Sequence, residues 1–162
     1  MRVERLDRNW IMAHIPHQGR MCLLDDVIGW DAERISCSSA SHADAANPLH
    51  AHGRLGILCG IEYAAQAMAV HGALTAGASG TEGSMPHAAA RAPAAGFLAA
   101  LRGVTAHVAR LDDVPGPLTV TAARIAGDHA SALYDFEVRS TVRCLLDGRA
   151  TVVLDTNGRL RI

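Results

Sequence analysis

Apolar and polar positions along this chain fall into three regimes, with boundaries near residues 60 and 96. In the first regime Pro16 and Gly19 interrupt the chain, and the apolar run MCLLDDVIGW that follows ends at turn-forming residues, the pattern of a strand. The next stretch, AERISCSSASHA, places Ile35, Cys37 and Ser39 on one face by a two-residue period, which predicts the second strand of a hairpin. Residues 1–9 are polar enough for a short helix or an unpaired arm. From Gly60 to about Ala76 the polar side chains of any size are Glu62, Gln66 and His71. A helix apolar all round is buried, and a curved sheet is the expected wrapper. Residues 77–95, rich in Ala, Gly, Ser and Pro, lack a usable period and are expected to form a long mobile loop. The runs GFLAALRGVTAHVAR, GPLTVTAARIAG and SALYDFEVRSTVRCLL then predict strands, with TVVLDT closing the chain. Gly127 with Asp128, and Asp147 with Gly148, are read as tight turns between antiparallel strands.

Length makes a single domain over 1–162 the expectation, since 162 residues can enclose a core without a disulfide or a structural metal. A formal charge of −1 and a near-neutral pI exclude the broad basic surface that neutralises phosphates, so neither nucleic acid nor an anionic membrane is an expected partner. All fifteen basic residues are arginine and alanine predominates, a bias with no mechanistic content. The four cysteines, Cys22, Cys37, Cys59 and Cys144, are scattered without a C-x-x-C pair, which indicates neither a zinc site nor a disulfide framework. MRVERLDRNW lacks the apolar run of a signal peptide, and no stretch reaches the roughly 18 uninterrupted apolar residues of a membrane span. A soluble, cytoplasmic protein is expected.

One apolar helix inside a long antiparallel sheet is the α+β architecture called the hotdog fold, and two segments carry a resemblance to a family within it. IPHQGRMCLLDDVIGWD resembles the L-P-H-R-x-P-M-L-L-x-D-x-V segment of 3-hydroxyacyl-ACP dehydratases, with Pro16, His17, Met21, Leu23, Leu24, Asp26 and Val27 in matching places. GIEYAAQAMAVHG resembles the L-I-E-A-M-A-Q helix of the same enzymes, with Glu62, Ala65 and Gln66 in register. The dehydratase-like proteins of aryl polyene gene clusters resemble it most, sharing G-I-E-Y-x-A-Q and the G-F-L at Gly96 to Leu98. The resemblance runs from about Trp10 to Thr156. In ordinary dehydratases H-F-P-x-x-P-x-x-P-G precedes the helix and supplies the catalytic histidine; here LHAHGRLGILCG, shorter and without those prolines, stands in its place.

The resemblance implies dehydration of a 3-hydroxyacyl thioester carried on acyl carrier protein, in a fatty-acid-like or aryl polyene pathway. Two alternatives stand beside it: a catalytically weak hotdog subunit that pairs with a complete dehydratase, and a hotdog acyl thioesterase. Dehydration needs a base for the C2 proton, an acid for the departing hydroxyl and donors for the developing enolate. Glu62 is the candidate carboxylate. Apolar surroundings raise its pKa and the helix N-terminus lowers it, although a first-turn acid also suits the helix dipole without doing chemistry. Gln66, one turn on, either orients Glu62, touches the acyl chain or satisfies a backbone group. His50 and His52 are the candidate bases by position, with His52 in a turn that would face a neighbouring protomer. His42, His50 and His52 are too loosely spaced for a metal, and no metal or cofactor is expected. In the resembling enzymes the residue matching His17 is structural or lines the channel mouth, so His17 is placed on the substrate side and not as the base. His71 and His107 read as core or rim histidines. Gly60 would let a thioester approach the first free N–H groups of the helix. Arg20, Arg54, Arg102 and Arg110 are the candidate contacts for an acidic carrier protein, and a homodimer or a heterodimer with another hotdog chain is expected.

Overall fold

Asp7 sets the first helix: its carboxylate accepts a hydrogen bond from the Trp10 N–H at 2.9 Å and caps α1 (Arg8–His14). The computed structural model describes residues 6–78 and 96–154. Within them β1 (Leu6–Asp7) pairs with β2 (Asp26–Trp30), so the described part of the segment read as a short helix or an unpaired arm forms a strand and the start of a helix that runs on to His14. β3 (Arg34–Ser39) forms the predicted hairpin with β2. The buried helix is α2 (Gly60–Ala78), two residues longer than the pattern indicates, and 79–95, the rest of the expected loop, lie outside the described residues. β4 (Gly96–Ala106), β5 (Leu118–Gly127), β6 (Ser131–Arg139) and β7 (Cys144–Leu154) follow.

All pairings are antiparallel, in the order β1-β2-β3-β5-β6-β7-β4. Strand alternation decides which face meets the helix. Leu118, Val120 and Ala122 of β5 and Ala132, Tyr134, Phe136 and Val138 of β6 are buried, while their neighbours in sequence are more exposed. Tyr63, Ala64, Ala67, Met68, Val70 and Leu74 of α2 are buried in the same core. The segment Ile57–Ala78 is long and apolar enough to cross a membrane by length and composition alone, and more than half of it is covered by this packing. This is the hotdog architecture that the sequence pattern predicts.

Two local expectations are corrected. MCLLDDVIGW is not one strand: Gly19–Met21 form a 3-10 turn, Cys22 to Asp25 are irregular, and β2 begins at Asp26. Asp147 and Gly148 lie inside β7. A Cβ at Gly148 would stand 3.1 Å from the Phe136 ring and 3.0 Å from a Val104 methyl, so this glycine permits packing and makes no turn. The reversal falls at Ser140 to Arg143, where Ser140 Oγ accepts from the Val142 and Arg143 N–H groups at 3.3 and 3.1 Å. The turn at Gly127 and Asp128 is as predicted, with Asp128 accepting from the Ala130 and Ser131 N–H groups.

Candidate functional site

The irregular segment between α1 and β2 is a strap laid over the first turns of α2, and Gln66 fastens it. Its Oε1 accepts the Leu23 N–H at 2.8 Å, and its Nε2 donates to the Met21 carbonyl at 2.7 Å and to Glu62 Oε1 at 3.1 Å. The Leu23 carbonyl accepts from Ser39 Oγ at 2.6 Å and Ser41 Oγ at 2.8 Å. Ser41 Oγ in turn lies 2.8 Å from the Tyr63 hydroxyl, which also accepts from Asn47 Nδ2 at 3.0 Å. The apolar side chains of Cys22, Leu23 and Leu24 are fully buried, and these polar contacts satisfy backbone groups that no strand partner serves.

Fastened this way, the strap brings His17 to the helix. His17 Nε2 stands 3.0 Å from Glu62 Oε1, with about a third of the Glu62 side chain exposed. His17 Nδ1 is buried and has no hydrogen-bond partner among the described residues. The hydrogen bond from His17 holds the Glu62 carboxyl below its ordinary pKa, against the opposing pull of burial, and the Gln66 amide adds to the lowering. Glu62 is therefore a carboxylate at neutral pH. An ionised acceptor fixes the imidazole with its proton on Nε2, which leaves the Nδ1 lone pair to accept a proton. The pair can take a proton at one atom and stabilise the resulting cation at another.

The other predicted residues lie elsewhere or have other contacts. His52 is exposed at φ 53° in the turn bridged by Ala51 and Arg54, and His50 is half-buried; neither makes a hydrogen bond or ion pair with Glu62 among the described residues. Gly60 is buried at the start of α2, and a Cβ there would meet Leu146 Cδ2 at 2.8 Å, so its missing side chain admits β7. Arg20 is exposed and donates to the Ala46 carbonyl at 3.3 Å, while Arg54 and Arg102 are exposed. Arg110 is held by Asp112, donating from Nε at 2.9 Å and again from its second nitrogen. His71 is fully buried, as expected for a core histidine, between the Tyr134 hydroxyl and the Asp31 carbonyl, each at 2.9 Å. His42 is also buried, with Nε2 3.1 Å from the Val114 carbonyl.

Sequence reasoning did not pair His17 with Glu62. The signal for it was Gln66, whose place on the Glu62 face makes it the one amide able to hold both the carboxylate and whatever segment crosses the helix there.

A family model described as ApeP dehydratase, ApeP-like, matches residues 10–159. Among solved structures, a chain of the dehydratase heterocomplex ApeI:P from Xenorhabdus doucetiae is similar with a TM-score of 0.75 at 20% identity, over 91% of each chain. Thioesterase superfamily member 2 of zebra fish is similar with a TM-score of 0.55 at 12% identity, over 92% of this chain and 99% of that one. A thioesterase from Haemophilus influenzae has a TM-score of 0.52 at 12% identity, over 80% and 76%. These likenesses establish the hotdog fold. No curated protein sequence matches.

Proposed function

This chain belongs to the ApeP-like dehydratase family, and from that premise we propose that it removes water from a 3-hydroxyacyl thioester carried on acyl carrier protein, with His17 and Glu62 as the working pair. The observation that carries this reading is the 3.0 Å contact between them. The Nδ1 lone pair of His17, buried in the free chain and uncovered on substrate entry, takes the C2 proton of the substrate while the C–H electrons move toward the thioester carbonyl. The imidazolium that forms is stabilised by the Glu62 carboxylate at Nε2. Nδ1–H then returns the proton to the 3-hydroxyl, the C3–O bond breaks, and water leaves as the C2–C3 double bond closes. The Gly60 N–H is already taken by the Ile57 and Leu58 carbonyls, so the developing enolate oxygen requires a donor other than that group.

A second hotdog chain completes the unit in this reading. β4 ends the sheet, so one side of its eleven residues has no strand partner among the described residues, and Leu98 and Leu101 are exposed on it. A long apolar edge of this kind invites a further strand, and the related solved structure is named a dehydratase heterocomplex. Arg20, Arg54 and Arg102 remain available for an acidic carrier protein. Arg110, neutralised by Asp112, is the weakest of the four candidates. An aryl polyene or fatty-acid-like pathway in the cytoplasm fits this chemistry.

The test is mass-spectrometric detection of enoyl product from a 3-hydroxyacyl-ACP, with the chain alone and with a hotdog partner chain. His17→Asn and Glu62→Gln should each lower kcat about 100-fold or more. Free thiol released from a saturated acyl thioester would establish hydrolysis instead. Undiminished turnover by both variants in the presence of the partner would place the chemistry on the partner.

A further inference from the structure

Away from the His17–Glu62 pair, three different metal-ligating side chains converge where β4 ends beside the start of β7. His107 follows the last residue of β4, and its N–H donates to the Leu145 carbonyl at 2.9 Å, which fixes its backbone to β7. Its Nε2 stands 2.6 Å from Asp147 Oδ2, and Cys144 Sγ lies 3.6 Å from the same oxygen. One donor atom from each of the three residues falls within 4.8 Å of the others. A second observation concerns β6. Glu137 lies directly opposite Asp147 in the β6–β7 ladder, so two carboxylates face each other across one register position. Like charges so placed destabilise a sheet; Arg139, 2.6 Å from Glu137, offsets one, and His107 is the partner of the other.

We propose that His107, Cys144 and Asp147 bind one zinc-class divalent cation, which clips the end of edge strand β4 to β7. The donor set decides the class. One sulfur, one imidazole nitrogen and one carboxylate oxygen suit Zn2+ and its neighbours, whereas Mg2+ and Ca2+ call for oxygen throughout. Donors around a tetrahedral zinc stand about 3.3–3.8 Å apart, given bonds of about 2.0–2.3 Å, so the present spacings need to change by only about 1 Å. About two fifths of the His107 and Asp147 side chains are exposed, which leaves the ion a route from solvent. Binding replaces the thiol proton of Cys144. Affinity should therefore rise with pH, because metal and proton compete for the sulfur. The cysteine and the histidine are separated by the whole of β5 and β6 and their turns, which is why no compact ligand motif appears in the sequence.

The full chain, stripped of metal, is titrated with Zn2+ against a chromophoric chelator. One Zn2+ per chain is expected, with affinity reduced about tenfold or more by Cys144→Ser and by His107→Ala, unchanged by His52→Ala and not competed by Mg2+. Co2+ added to the unsubstituted chain should produce a thiolate-to-metal absorption band in the near ultraviolet that Cys144→Ser abolishes. The cobalt spectrum of the unsubstituted protein decides the question even if a variant folds poorly. Absence of that band, or zinc binding that both substitutions leave intact, overturns the proposal.

Discussion

Gln66 shows how much one side chain can be asked to hold. Its amide satisfies the Leu23 N–H and the Met21 carbonyl of the strap while also donating to Glu62. Gln66→Ala would strand two backbone groups in a buried setting, each costing about 1–3 kcal/mol, so a loss of about 2–6 kcal/mol in urea unfolding is expected. Because the strap carries His17, the same variant should lower kcat, whereas a loss of stability with kcat intact would mean that His17 is positioned without it. The sequence placed Gln66 on the Glu62 face correctly, since helical spacing alone requires that. It could not identify what crosses the helix at that point: His17 reaches Glu62 through tertiary bonds to Met21 and Leu23, which no periodicity records. His50 and His52 are the candidates by sequence because LHAHG stands where ordinary dehydratases carry the H-F-P histidine, and within the chain neither makes a hydrogen bond or ion pair with Glu62 among the described residues.

At the scale of elements, α2 was legible from its all-round apolar character and the strands from their alternation, because both reflect burial directly. The strap was not, since an apolar run reads alike whether its backbone is paired to a strand or to side chains. Glycine was misleading for a related reason: at Gly148 it marks close packing inside β7, although the dipeptide reads as a turn. Gly60 is another case of packing, and it can be tested. In Gly60→Ala the new Cβ would lie 2.8 Å from Leu146 Cδ2, the far end of a flexible side chain, so β7 must yield slightly at a cost of about 1–2 kcal/mol. Leu146→Val removes the interfering methyl. The double variant should therefore be measurably more stable in chemical denaturation than the sum of the two single losses predicts; strict additivity would mean that the contact is not what requires glycine.

Across the whole molecule, His71 ties three parts together: it projects from α2, meets the Tyr134 hydroxyl of β6 and reaches the Asp31 carbonyl beyond the end of β2. Its two ring nitrogens have opposite duties. The carbonyl can only accept, so Nε2 carries the proton and Nδ1 accepts from the tyrosine, which is the neutral imidazole. Protonation would set two donors against each other at Nδ1 and place a charge in a fully buried site; accordingly burial holds the His71 pKa below its ordinary 6.5. Below pH 6.5 the unfolded chain then binds a proton that the folded chain refuses, so folding stability falls as pH falls, until the folded-state pKa is reached. Above 6.5 both states are neutral and this contribution is flat. The slope from one such group cannot exceed about 1.4 kcal/mol per pH unit. Glu62, Asp31, Asp112 and Asp128 have lowered pKa values, and the stability they contribute is lost only in the more acidic carboxylate range. Chemical unfolding between pH 7.5 and pH 5 should thus show a decline that His71→Gln removes. That variant begins less stable at pH 7.5, and its deficit should narrow with acidification; a deficit that stays constant would show that the buried imidazole does not set the acid sensitivity of the fold.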